Sequence, residues 1–309
     1  MSVIEKELAG KRLKFSEVFF QDEVREGFLV EKKMKHAWAA QLEVLKEIDR
    51  ICLENGIHYF ADSGTLLGAI RHKGFIPWDD DVDIAMRRED YNSFFSIVER
   101  ELPEGWIFID GNKHGQGYGR VMNGSIEDVG TERILQFHGC PYVVGVDIFP
   151  LDYVPPVKEE EETWHLLLEY LWILYNDLKK DGEGVSGSEL ERNLQQAEAW
   201  CKVRFDRTGN LEVQVIRLMN QIAQLYWSNE AKELEMVVCD WGGGYKYKYK
   251  YEWYADSIQV PFENIMVPIP AKYHEVLIAL YGEDYMTPKR GIADHHYPFY
   301  KNQDTVLGG

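Results

Sequence analysis

Apolar residues recur every three or four positions between Met34 and Asn55. Trp38, Leu42, Leu45, Ile48 and Cys52 make one stripe, and that period predicts an amphipathic helix. Asn55-Gly56 supplies its stop. The pattern then shortens. IHYFADSG predicts a strand ending at Ser63-Gly64, TLLGAIRHKG a short helix closing at Gly74, and DDVDIAM a second strand. REDYNSFFSIVEREL predicts a helix, with Pro103 beyond it. WIFIDG, YGRVMN and PYVVGVDIFPLD predict further strands. The last is apolar on both faces apart from one acid, Asp147. Residues 1–33 are mixed and charged, a short strand or an arm.

Past Pro155-Pro156 the character changes, and KEEEE opens a helical region. Trp164, Leu167, Leu168, Leu171, Leu174 and Tyr175 fit one helix face. After the loop DGEGVSGS, helices are expected over 189–206 and 211–228, the second with Leu211, Val215, Leu218, Ile222 and Leu225 in period. WGGGYKYKYKYEWY sets Tyr245, Tyr247, Tyr249, Tyr251 and Trp253 against Lys246, Lys248 and Lys250, the alternation of a strand after a glycine turn. A strand near Val260, a short helix AKYHEVLIALYG and an irregular tail rich in His, Pro and Tyr close the chain. The expected class is α+β, a mixed sheet flanked by helices. Its expected parts are a core over 34–157, a helical insertion over 158–240 and a C-terminal strand and helix segment, 241–309, packing on the core.

Composition narrows the function. With 309 residues, 45% hydrophobic, and 9 Trp, 18 Tyr and 14 Phe, the chain can bury a real core. A net charge of -18 argues against general nucleic-acid binding and against loose adhesion to anionic lipid. A locally basic pocket stays open. The four cysteines, Cys52, Cys140, Cys201 and Cys239, form no CxxC pair, so buried free thiols are expected rather than a zinc site. The opening MSVIEKELAGKRLKF lacks an apolar signal core, and no apolar run approaches the ~20 residues that span a bilayer. The expectation is a soluble cytoplasmic protein, with peripheral contact at the inner face of the membrane at most.

The chemistry concentrates in GFIPWDDDVDIAM, residues 74–86. On a strand, Asp79, Asp81 and Asp83 would share one face, while Val82 and Ile84 would enter a core and Asp80 would point away. Like charges so close repel unless a cation neutralises them. Hard oxygen ligands suit Mg²⁺ or Mn²⁺. A solvated acidic turn is the plainer alternative, which the apolar flanks disfavour. Ser63, Gly64 and Thr65 stand at a strand-to-helix turn, where a helix N-terminus and close backbone approach favour an anion, though a simple N-cap would explain them too. Arg71, His72 and Lys73 offer donors for phosphate oxygens, or are a solvated helix end. Asp147 sits where a core strand would carry Val or Ile, so it needs a partner. The acidic cluster is the economical one, with Asp152 a competing third acid. Strand, turn, helix, acidic strand and a distant acid make the layout of a nucleotidyltransferase-type site.

YFADSGTLLGAIRHKGFIPWDDDVDIAMRREDY resembles the signature of the LicD family, phosphocholine transferases related to fukutin. QLEVLKEIDRICLENGIHY resembles that family's leading helix, VDIFPLD its second acidic motif, and VPFENIMVPIPAKYHEVLIALYGEDYMTP its C-terminal block. The resemblance spans 35–155 and 255–290, and 158–250 matches nothing specific. It implies a nucleotidyltransferase-like fold and a divalent metal. It also implies transfer of a phospho-alcohol from a CDP-activated donor, here CDP-choline, to a glycan hydroxyl with release of CMP. The implied acceptor is a teichoic acid, lipopolysaccharide or similar surface glycan precursor, free or lipid-linked. Metal-ligand roles carry over first to Asp81 and Asp83, less directly to Asp79 and Asp147, either of which would serve as base.

For a choline group, aromatic faces would supply the contact. The stripe containing Tyr249 is one source, although packing against the helices is the stronger alternative. Trp78 and Tyr297 are further candidates. His295 and His296 could donate to phosphate, against a surface or packing role. The rivals are transfer of ribitol, glycerol or ethanolamine phosphate, a nucleotidyltransferase releasing pyrophosphate, and a non-catalytic glycan- or choline-binding protein. Clustered carboxylates argue against the last.

Overall fold

Helix α1, Lys32–Asn55, carries the expected stripe, with Trp38, Leu42, Leu45, Ile48 and Cys52 all buried. Gly56 closes it in the left-handed region, φ +66°, its N–H bonded to the carbonyl of Cys52. The computed structural model describes residues 12–126, 130–179, 186–227, 231–242, 244, 246–290 and 297–307. Burial in α1 extends beyond one stripe: Met34, Lys35, Ala37 through Leu45 are inside. Polar groups so placed need partners. Lys35 pairs with Glu23, and Glu43 accepts from His138 Nε2 at 2.8 Å. Trp38 Nε1 and Gln41 Nε2 donate to the carbonyls of Asp79 and Asp80, at 3.0 and 2.8 Å.

The described residues fall into two compact units. One holds the chain up to Phe108, Arg120–Ile148 and the chain from Tyr254 on. It begins with a hairpin, β1 (Glu23–Arg25) and β2 (Phe28–Val30), in the segment expected to hold a short strand or an arm. After α1 come β3 (Phe60–Ala61), helix α2 (Ser63–Arg71), β4 (Asp83–Arg87) and helix α3 (Arg88–Glu101). With β5 (Ile107–Ile109), β6 (Gly119–Met122) and β7 (Gly145–Tyr153), the sheet order is β3-β4-β7-β6-β5. β3 and β4 are antiparallel, Phe60 opposite Ala85. The fold is α+β, a mixed sheet flanked by helices.

The strand expected over DDVDIAM starts late, at Asp83. Residues 79–82 follow a turn, Asp79 N–H bonding to Ile76 carbonyl at 3.0 Å, and the donors from α1 hold the carbonyls a ladder would have taken. Asp79 and Asp81 are therefore loop residues, a correction to the strand register. Burial still alternates: Asp80, Val82 and Ile84 are buried, while Asp79, Asp81 and Asp83 are half-buried.

The other unit holds Ile109–Gly119 and Phe149–Trp253. Helices α4 (Lys158–Lys179), α5 (Gly187–Cys201) and α6 (Leu211–Ala223) enclose Trp164, Leu168, Leu171, Val215 and Met219. The helix expected to reach 206 stops at Cys201, where Lys202 turns left-handed at φ +55°. β8 (Glu233–Glu235) pairs with residues 152 and 153 of β7, and β9 (Lys248–Lys250) pairs with β8. The Tyr/Lys alternation yields only those three residues of strand. Before it, Asp240 caps a turn by accepting from Lys246 and Tyr247 N–H. After it, Tyr251–Tyr254 wind into a 3-10 turn. Burial is greatest at Tyr249 and alternation alone does not see these caps.

Beyond Trp253 the first unit resumes with hairpin β10 (Ser257–Phe262) and β11 (Ile265–Pro270), helix α7 (Tyr273–Tyr281) and helix α8 (Lys301–Leu307). Cys52 and Cys140 are buried free thiols as expected, while Cys239 is exposed. Among the described residues, no helix is long and apolar enough to cross a membrane.

Candidate active site

The acidic loop is pinned on several sides. Besides the two donors from α1, the Thr65 hydroxyl accepts the N–H of Asp83 at 2.9 Å, and the carbonyl of Val82 accepts the N–H of Asp147 at 3.0 Å. Helix α2 starts at Ser63 because Asp62 caps it, accepting the Ser63 N–H at 2.7 Å. Asp62 is fully buried, and the Tyr254 hydroxyl donates to its second oxygen at 2.7 Å. Burial pushes this carboxyl up, and the hydrogen bonds partly offset that.

The loop gathers charge as the sequence suggests, by a different geometry. Oxygens of Asp79, Asp80 and Asp81 lie within 4.8 Å of one another. Burial first, then the charge of and hydrogen bond to Asp81 and the charge of Asp80, hold the Asp79 carboxyl well above the usual range. Asp83 is raised in the same way, by burial and then by Asp81, Asp147, Asp79 and Asp62. Asp80 stands apart. It is 1% exposed, and its carboxylate accepts the Phe299 N–H at 2.6 Å, which ties the C-terminal segment to the loop.

Asp147, 9% exposed on β7, is clasped through both oxygens by Arg120 of β6, with Nη2 to Oδ2 at 2.6 Å. The partner this buried acid demands is thus a guanidinium, placed beside the cluster. Arg120, Asp62 and Tyr254 were not singled out from sequence. Asp62 precedes the Ser-Gly turn as an N-cap should, and Arg120 interrupts an apolar strand, so both left a signal.

The remaining candidates divide. Gly64 lies against Asp79: a methyl group there would come 2.5 Å from an Asp79 oxygen. Ser63 has φ +48°, and its hydroxyl donates to Asp62 at 3.3 Å. Arg71 donates to the Tyr285 carbonyl at 2.8 Å, and burial lowers its pKa. Lys73 is exposed, and its carbonyl accepts the Glu263 N–H at 2.7 Å. His72 sits 3.3 Å from Glu26, with burial lowering its pKa. Trp78 is half-buried near Phe28. Tyr249 is 1% exposed inside the second unit, the packing role weighed against a cage. Tyr245, His295 and His296 lie outside the described residues.

Residues 56–164 match the family model described as LicD/FKTN/FKRP, nucleotidyltransferase domain. Over 82% of its length the chain is similar, at 29% identity, to the lipopolysaccharide cholinephosphotransferase LicD of Haemophilus influenzae, and the match covers 92% of that protein. Shorter stretches resemble uncharacterized proteins of Rickettsia typhi, 45% identical over 18% of either chain, and of Rickettsia prowazekii, 48% identical over 16% of this chain and 18% of that one.

Proposed function

Because the chain belongs to the LicD family of phosphotransferases, we propose that it moves phosphocholine from CDP-choline to a hydroxyl of a cell-surface glycan precursor, with CMP as the leaving group. The observation that carries this reading is the cluster of carboxylate oxygens of Asp79, Asp80 and Asp81, with Asp83 following at the start of β4, in a chain similar to a protein named as a lipopolysaccharide cholinephosphotransferase.

Mg²⁺ or Mn²⁺ fits the donor set. The oxygens of Asp79, Asp80 and Asp81 are hard and close together, and Asp79 and Asp83 are disfavoured in the charged form by burial and by their acidic neighbours. Asp81 and Asp83 would hold the ion, with Asp147 as third ligand, and it would offset charge on the donor's pyrophosphate. Arg120 orients Asp147 as an outer partner orients a ligand. Asp79, close against the first turn of α2, takes the proton of the attacking hydroxyl. Backbone N–H groups at Ser63 and Gly64 receive phosphate oxygens at the helix N-terminus. Arg71 and Lys73 neutralise further oxygens. Thr65 acts through Asp83, whose backbone it fixes.

The test is CMP release from CDP-choline with and without EDTA. Asp83→Asn should cost about 100-fold in kcat, the scale of several kcal/mol of charge stabilisation. Unchanged turnover with EDTA, or in Asp83→Asn, overturns the metal role. Competition with CDP-ethanolamine, CDP-glycerol and CDP-ribitol decides the alcohol, and pyrophosphate as product would place attack at the other phosphorus.

A further inference from the structure

Phe28, Trp78 and Tyr297 come from three separate parts of the first unit and meet. The rings of Phe28 and Trp78 are 6.1 Å apart at 70°, and those of Phe28 and Tyr297 are 6.4 Å apart at 68°. Rings set edge-to-face do not cover each other's faces as stacked rings do. Phe28, Trp78, Glu26, Pro288 and Arg290 line a cavity of about 470 Å³. A cation already stands in it: the guanidinium carbon of Arg290 lies 4.6 Å over the Phe28 ring. That contact is direct structural support for a cation at this ring face.

The cavity also adjoins the acids. Trp78 is followed at once by Asp79. Tyr297 stands two positions before Phe299, whose N–H donates to the Asp80 carboxylate at 2.6 Å, so the segment that carries this ring is tied to the acidic loop. A ligand reaching from the rings to the acidic loop would carry a cation at one end and a metal-seeking anion at the other, joined by a short spacer. Phosphocholine has that form. A primary ammonium would want three hydrogen-bond acceptors; the ring faces give none, and Glu26 is the one acidic side chain among the described residues of the lining. A trimethylammonium wants none.

We propose that this cavity seats the quaternary ammonium of the donor, with Arg290 as the resident cation of the empty protein. The proposal rests on the phosphocholine reading and adds the residues that recognise choline. Donor binding then exchanges one cation for another, so the site is not left with uncompensated rings and acids in either state.

Two measurements on the full chain separate this from the reading beneath it. The first is tetramethylammonium binding by ligand-observed NMR. Phe28→Leu and Trp78→Leu should each weaken it about ten-fold, the worth of one good ring face. Phe28→Tyr keeps the face and should bind as the parent does, with melting curves confirming that each variant is folded. Arg290→Gln should tighten binding several-fold, because the competitor is gone. The second is CMP release, where the Leu variants should raise KM for CDP-choline about ten-fold with a smaller change in kcat. Equal tetramethylammonium binding in the parent and both Leu variants overturns the seat, and so does weaker binding in Arg290→Gln. If CDP-choline is turned over and the ring variants match the parent, the seat falls and the phosphocholine reading stands. If tetramethylammonium binding needs the rings while a CDP donor without a quaternary ammonium is preferred, the rings bind a cation that is not the donor's, and the donor seat falls together with the phosphocholine reading.

Discussion

Gly64 sits where a methyl group would come 2.5 Å from a carboxylate oxygen of Asp79. The first turn of α2 and the acidic loop touch only because this residue has no side chain. Gly64→Ala improves helix propensity by up to about 1 kcal/mol, yet it must push Asp79 away. Stability and activity should therefore separate: a melting temperature within a few degrees of the parent, and a fall in CMP release of about 100-fold, the cost of a misplaced group. A variant with full activity would mean that Asp79 is not in the reacting geometry. Tyr254 tests the neighbouring residue. Its hydroxyl is a donor to the fully buried Asp62, so Tyr254→Phe leaves that carboxyl short of a partner. The expected loss is about 1–3 kcal/mol in urea unfolding.

At the scale of elements, the acidic loop and β4 make an edge where burial and neighbouring carboxylates disfavour the charged form in the metal-free protein. Asp79 and Asp83 are raised above their ordinary range. A raised group contributes stability that is complete below its unfolded value and is lost as pH rises through its folded value. The metal-free protein should thus melt lower at pH 8 than at pH 5.5. Mg²⁺ should reverse this at pH 8 and do little at pH 5.5, since bound cation adds stability only where the carboxylates are charged. Each 1 kcal/mol gained raises Tm by about 2–4 °C. An equal Mg²⁺ shift at both pH values would place the ion elsewhere.

The same elements show what the sequence discloses. Helix α1 and its Gly56 cap follow from a local period and a local stop, and both are observed. The loop before β4 does not, because the groups that bend it, Trp38 and Gln41, lie about forty positions upstream. The alternation of buried and half-buried acids survives the wrong register, since it tracks which side faces the core rather than which backbone groups pair. Asp147 announced a need for a partner, but Arg120 lies 27 positions away and only folding brings them together. The tyrosine stripe misled because a strand period was read across a capped turn and a 3-10 turn.

The whole molecule carries a net charge of -18, and its proposed donor is itself net anionic. Long-range repulsion therefore opposes encounter, while the proposed phosphate donors Arg71 and Lys73 and the proposed divalent ion would act at short range. Added monovalent salt shrinks the reach of the overall field from roughly 30 Å at 0.01 M to about 8 Å at 0.15 M. It weakens the repulsion before it weakens contacts inside the site. With Mg²⁺ held saturating, kcat/KM for CDP-choline should rise about two-fold between those ionic strengths, and kcat should stay level, because screening alters association rather than the bound complex. Tetramethylammonium, being cationic, should show the opposite sign and bind more weakly as salt is added. A fall in kcat/KM with salt would mean that a local basic field around Arg71 and Lys73 steers the donor against the charge of the whole, and Lys73→Gln would then reduce the salt dependence.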